Sequence, residues 1–468
     1  MKTEDQIYNL FEYDKPLSFE GTERQLNDLD SYLDEIWEKR EKSVLNFWQG
    51  EDEELRKSTQ QFIEFSRKNN TLRSGKYVGI ISFDGKIINL LPKIFNDNQN
   101  GEYQTYEVEA IQSHILWWLS YCSKFKFPKA SSSYSSLKSN FFEVLIYLYA
   151  KYTRQILNNY IFHGFQEIHG ETRFMRGRLN INRYVAENLS TANWHKLNCI
   201  YDAFEMDNDF NRIIKYVSNL LFQTSQNSEN KKLLREIVFI LDEVSDQQCS
   251  IYDCEKIKLN PLFQEMFTVL DYCKLFLANS TVLSYKHDFK VFAFLLPMEY
   301  IFEDFVYGFI DREIGKGLAD SQTTGKYLTE DDRFNLRPDL VINIPSKGHF
   351  VIADTKYKII DSDTSKDKKL GISQGDLYQM LAYAIRLKCT EIKLLYPNHV
   401  QDFETSGQPI TKFRVLDEFS GKLINIKVYR LPLILENWKE LKPKKKLDQL
   451  FSENRDRLKE VLEEVLIE

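Results

Sequence analysis

The stretch that most limits how this chain can fold lies between residues 298 and 397. A helical run, MEYIFEDFVYGFIDREI, leads into two strand-like runs, LRPDLVINI and HFVIADTKYKI. A second helical run, SQGDLYQMLAYAIRLK, and a short buried strand, EIKLLYP, follow. Strands show as β-branched, apolar-rich runs, and helices as apolar residues spaced three to four apart. The turn residues Pro345-Ser346-Lys347-Gly348 join the first two strands, and Ser373 stands at the N-cap position of the second helix. Helix, strand, strand, helix, strand is an α/β order. A further strand, KLINIKVYRLPL, and a charged helix end the chain.

Asp339 sits where the first strand begins, Asp354 fifteen residues later, and Lys356 two positions beyond. Side chains i and i+2 of a strand share a face, so Asp354 and Lys356 project together. A hairpin brings Asp339 to the same place. Two converging carboxylates repel unless a cation lies between them. Mg²⁺ takes oxygen ligands and keeps several waters, so one or two carboxylates suffice, with Mn²⁺ as a substitute. The metal acidifies a bound water and neutralises charge on a phosphate, and Lys356 can orient that water. Alone, D-x-K on a strand is common and reads first as an ordinary salt bridge between Asp354 and Lys356.

Two neighbouring elements strengthen the functional reading. Glu303 lies on the preceding helix beside Ile301, Phe302, Phe305, Val306 and Phe309, where it can reach a metal directly or through water. Glu299, one turn earlier, is its rival. On the following helix Asp376, Gln379 and Tyr383 fall on one face, suited to the site or to a DNA backbone.

The rest of the chain supports several domains. With 468 residues, 43% hydrophobic and 14% aromatic, it can bury a large core, and about 150 residues per domain gives about three. The divisions expected are a helical extension over 1–70, a β-rich unit over 71–130, a helical domain over 131–285, and an α/β domain over 286–468. The 1–70 segment reads as a solvated extension or a partner-binding arm. Asp84-Gly85, between two β-rich runs, signals a hairpin. Residues 171–183 carry Arg173, Arg176, Arg178 and Arg183. The basic run 441–450 reads as a solvated loop or a phosphate-contacting patch.

A net charge of -7 argues against a free-standing DNA binder. The six cysteines show no CxxC spacing and the seven histidines no zinc pattern, so reduced, packed cysteines are expected. No signal peptide and no apolar run near 18 residues is visible, which predicts a cytoplasmic chain without membrane spans.

Taken together, Glu303, Pro338-Asp339, Asp354-Thr355-Lys356 and Gln379-Met380-Leu381-Ala382-Tyr383 resemble the PD-(D/E)XK nuclease pattern in its RecB-type variant. The wider sequence resembles McrC, the cleavage subunit of McrBC and LlaJI-type restriction systems. The supporting strings are YVGIISFDGKIINLLPKIF, MRGRLNINR, YDAFEMDNDFNRIIKY, MEYIFEDFV, LRPDLVI, ADTKYK and DLYQMLAYA, in the family's order. The likeness spans roughly residues 70–435; the first 70 residues and Gly315–Lys326 are additions to it.

The resemblance implies an α+β multidomain protein. An N-terminal β-rich and helical docking region would precede a C-terminal α/β nuclease domain of the restriction-endonuclease type. It implies an endodeoxyribonuclease for double-stranded DNA, with Mg²⁺ held by Asp339, Asp354 and the Thr355 carbonyl, Glu303 in support, and Lys356, Gln379 and Tyr383 completing the site. It further implies a McrB-like AAA+ GTPase ring as partner. In keeping with this, no G-x-x-x-x-G-K-[ST] phosphate loop is present. The Arg cluster then faces either a partner or ordinary surface salt bridges. The rival readings are a RecB-like repair nuclease and a non-catalytic regulatory subunit of a ring NTPase.

Overall fold

A computed structural model describes residues 6–47, 60–97, 105–122, 141–284, 290–321, 327–331, 333–344, 349–360, 369–418, 420–441 and 447–467. The expected turn at 345–348 and much of the basic run at 441–450 lie outside them. Contacts divide the chain into two units, residues 1–144 with 279–468, and residues 145–278.

Among the described residues, the first unit holds three sheets. A six-stranded sheet runs in the order Ala319–Ser321, Leu340–Ile344, His349–Thr355, Glu391–Pro397, Lys422–Leu431, Thr411–Asp417. Its first three strands are antiparallel neighbours. Strand Glu391–Pro397 is parallel to both its neighbours, and the last pair is antiparallel. The parallel step from His349–Thr355 to Glu391–Pro397 requires a crossover, which the helix Gln374–Leu387 supplies. Six of the seven residues of Glu391–Pro397 are buried, as a central parallel strand demands. Helix and sheet share a core that includes Ile352, Met380, Ala384, Ile392, Leu394, Ile426 and Val428.

A five-stranded sheet pairs Gln6–Phe11 with Lys86–Leu91, then Tyr77–Phe83, Lys290–Pro297 and Ser280–Ser284. Its hairpin closes at Asp84 and Gly85, with φ of 49° and 71°, as the sequence predicts. The reading of residues 1–70 as helical holds for Glu23–Phe47. It fails for Gln6–Phe11, which lies parallel to Lys86–Leu91, and for Ile63–Ser66, which pairs with Thr71–Ser74. The apolar residues of these short strands pack with Leu29, Leu33 and Trp37 of the helix in one core. Charges on neighbouring positions obscured that pattern.

In the second unit, helices Asp209–Thr224, Ser228–Ile240 and Gln264–Asn279 fall within the helical domain expected over 131–285. The expectation of a helical domain omitted a three-stranded antiparallel sheet of Gly164–Thr172, Arg178–Leu179 and Leu197–Glu205. Its strands are rich in polar residues and expose Phe165 and Phe204, so they carry no clean inward alternation.

Asn398 locks the chain as it leaves the central strand Glu391–Pro397. Its side chain donates to the Ile434 carbonyl at 2.6 Å and accepts from the amides of Leu433 and Ile434 at 2.8 and 2.9 Å. Asn398→Ala strands these buried groups and should destabilise the protein by about 2–4 kcal/mol. Urea denaturation checks this; an unchanged midpoint would contradict it.

Candidate active site

The hairpin register brings the two acids together. Leu340 pairs with Ala353 and Val341 with Ile352, so the next step outward sets Asp339 opposite Asp354. Directly opposed residues put their side chains on one face, with Cβ atoms about 4.5–5.5 Å apart. Asp339 is further fixed by Thr355, whose amide and hydroxyl both donate to its Oδ2 at 2.8 Å. Asp354 is 1% exposed. Lys356 Nζ lies 2.7 Å from Asp354 Oδ2.

The helix Gln374–Leu387 closes this cluster. Lys356 donates to Gln379 Oε1 at 3.4 Å, and Gln379 Nε2 donates to the Tyr383 hydroxyl at 3.0 Å. That hydroxyl donates to the Arg337 carbonyl at 3.3 Å, two residues before Asp339. Residues 379 and 383 lie one turn apart, so a single helical face reaches both ends of the hairpin. Asp376, a turn earlier, holds Lys358 at 2.8 Å. Ser373 occupies the N-cap position, with no side-chain cap hydrogen bond.

The electrostatics suit a cation-binding place. Burial, then the charge of Asp339, pushes the Asp354 carboxyl up to about 8, against the pull of Lys356. Burial likewise raises Asp339, opposed by Lys356 and by the hydrogen bonds from Thr355. Burial works against the charge on Lys356, yet Asp354 and Asp339 together raise its pKa. Burial and the repulsion between the two acids thus favour a proton kept on the pair beside the Lys356 ammonium, and a divalent cation would take that proton's place.

Sequence reasoning thus grouped Asp339, Asp354, Lys356, Gln379 and Tyr383, and the fold brings these five together. Glu303 is half-buried on the helix Met298–Phe309, whose Ile301, Phe302, Phe305 and Phe309 are fully buried. Among the described residues, no three of His, Cys, Asp and Glu gather to hold one metal ion, so Glu303 is not drawn into a cluster with the two aspartates. Its rival Glu299 is exposed and acts electrostatically on Glu12 and Tyr357. All six cysteines are buried and free of disulfides. Among the described residues, no helix is long and apolar enough to cross a membrane.

Two features escaped the sequence reading. The Thr355 side chain ties one acid to the other's strand; the hydroxyl inside D-T-K was its signal. Glu12, distant in sequence, is 3% exposed and accepts from the Lys93 amide at 3.1 Å. Its carboxyl acts on Tyr357, the residue after Lys356, and Lys93 Nζ stands 4.5 Å from that ring's centroid.

An α+β protein with a mixed sheet, bearing paired acids and a lysine on one hairpin, is what the fold and site define. The chain belongs to the family of McrBC 5-methylcytosine restriction system components, whose model matches residues 72–397. It is therefore a component of an McrBC restriction system. The fold is similar to a chain in the refined half-complex from a tetradecameric assembly of Thermococcus gammatolerans McrB AAA+ hexamers with bound McrC. The TM-score is 0.61 at 17% identity, over 96% of this chain and 99% of that one. A chain of the Thermococcus gammatolerans McrBC complex is 20% identical over 66% of this chain and 89% of its own, with a TM-score of 0.46. No curated protein matches the sequence.

Burial, only partly offset by Lys93 and Tyr357, pushes the Glu12 carboxyl from 4.5 up to about 7. Between those values the folded chain keeps a proton that the unfolded chain releases, so stability falls as pH rises through the window. The loss attributable to this carboxyl is about 3 kcal/mol. Glu12→Gln should flatten the fall in denaturant midpoint between pH 5 and 7; a variant with an unaltered profile would contradict this.

Proposed function

We propose that this chain is the Mg²⁺-dependent endodeoxyribonuclease of its restriction system, with a PD-(D/E)XK site. The observation that carries the reading is the register that opposes Asp339 and Asp354 beside Lys356. The donor set is all oxygen, and a divalent cation would relieve the burial and repulsion that raise both acids, which suits a hard ion. Asp339, Asp354 and the Thr355 carbonyl would hold the ion, and Mn²⁺ could stand in for it. When bound, the ion supplies charge neutralisation at the phosphate and a water of lowered pKa.

The chain's own residues do the rest. Lys356, already an ammonium ion beside Asp354, orients the attacking water or contacts a phosphate oxygen as a point charge. Gln379 and Tyr383 hold the lysine and the Arg337–Asp339 segment in place. Glu303 would support the ion directly or through water.

The partner fits an AAA+ GTPase ring of the McrB kind, and the substrate is double-stranded DNA. Docking falls naturally to the unit 145–278. Its sheet and the turns around it expose Phe165, Phe174, Met175, Trp194 and Phe204, a concentration of large apolar side chains unusual for a free surface. Of the arginine cluster, Arg183 lies 2.8 Å from Glu187 and Arg176 stacks on Tyr201 at 4.2 Å. Those contacts favour the local reading for these two.

Plasmid cleavage with the partner ring, GTP and Mg²⁺ tests the proposal. Asp339→Ala, Asp354→Ala and Lys356→Ala should each reduce cleavage at least about 100-fold. Their stimulation of the partner's GTPase should stay at the wild-type level, while Phe174→Ala with Trp194→Ala should lose stimulation. An Asp354→Ala protein that still cleaves would assign the chain to regulation instead.

A further inference from the structure

The strand Glu391–Pro397 places one more polar group at the site. Thr355 pairs with Leu395, and the Lys356 amide donates to the Leu395 carbonyl at 2.8 Å. One step on, Tyr396 is therefore the cross-strand neighbour of Lys356. Paired residues of parallel strands point to one face, the face that Asp354 shares with Lys356.

Tyr396 is fully buried, and its ring belongs to the core beside Met380 and Tyr383. Its hydroxyl has no hydrogen-bond partner among the described residues. Burial first, then the charges of Asp376 and Asp354 against that of Lys356, raise the pKa of this hydroxyl, which places it within the field of the site. Arg430, the neighbour on the far side, is engaged by Asp402 at 2.6 Å and by the carbonyls of Glu404 and Ile360.

A phenylalanine would fill the same core space without an orphaned hydroxyl, whose burial is unfavourable. The tyrosine makes sense if its partner arrives with the ligand. We propose that the Tyr396 hydroxyl donates a hydrogen bond to a water in the shell of the divalent ion held by Asp339 and Asp354. It is thus a positioning residue for the ion and its attacking water. This rests on the nuclease reading above.

Tyr396→Phe removes only the hydroxyl. Mn²⁺ titration of the full chain without DNA, followed by electron paramagnetic resonance, reads ion binding independently of activity. Wild type should bind, Asp354→Ala should not, and Tyr396→Phe should bind about tenfold more weakly. The thermal midpoint of Tyr396→Phe in metal-free buffer should be unchanged or raised, and its loss of cleavage should fall on kcat more than on KM. Equal Mn²⁺ affinity in wild type and Tyr396→Phe would overturn this inference and leave the nuclease reading standing. A wild type that binds no Mn²⁺ would overturn both.

Discussion

Everything at the site depends on the pairing of Leu340 with Ala353. A strand pair has period two, so a slip of one residue would turn Asp354 and Lys356 to the opposite face. The buried residues Leu340, Ile342, Val351 and Ala353 resist that slip. The acids stand at the open end of this hairpin, where the ladder stops and Thr355 takes over the binding of Asp339. Hydrophobic burial thus sets the position of charges that burial alone would oppose.

The second constraint is the crossover helix. Its apolar face, with Met380 and Ala384, is buried in the sheet's core, and its Gln379 and Tyr383 reach Lys356 and the Arg337 carbonyl. One element thereby fixes the lysine and the approach to Asp339. The buried hydroxyls of Tyr383 and Tyr396 come from the helix and from the next strand. Neither adjoins the acids in sequence; only the sheet's order brings them there.

Much of the site was legible because it is local. Asp339, Asp354 and Lys356 lie within 18 residues, and strand periodicity places them without any knowledge of the rest. The helical face 376–383 was readable for the same reason. What the sequence hid is long-range. Tyr396 reads as the end of a buried strand until the parallel register with His349–Thr355 is known. The electrostatic interaction between Glu12 and Tyr357 joins residues 345 positions apart. The strand Gln6–Phe11 could be recognised only from its partner Lys86–Leu91, and the sheet 164–205 was masked by its polar and exposed aromatic residues. Glu303 marks the converse case: its place beside an apolar helix face suggested a supporting acid, and among the described residues no third acid gathers with the two aspartates.

The central claim is that the carboxylates of Asp339 and Asp354 share one divalent ion. A structure determined in Mn²⁺ by anomalous diffraction measures this directly. The account predicts an anomalous peak between the two carboxylates, with metal–oxygen distances of about 2.0–2.3 Å to both. A Mn²⁺-saturated structure with no peak there, and with Lys356 still paired to Asp354, would contradict it.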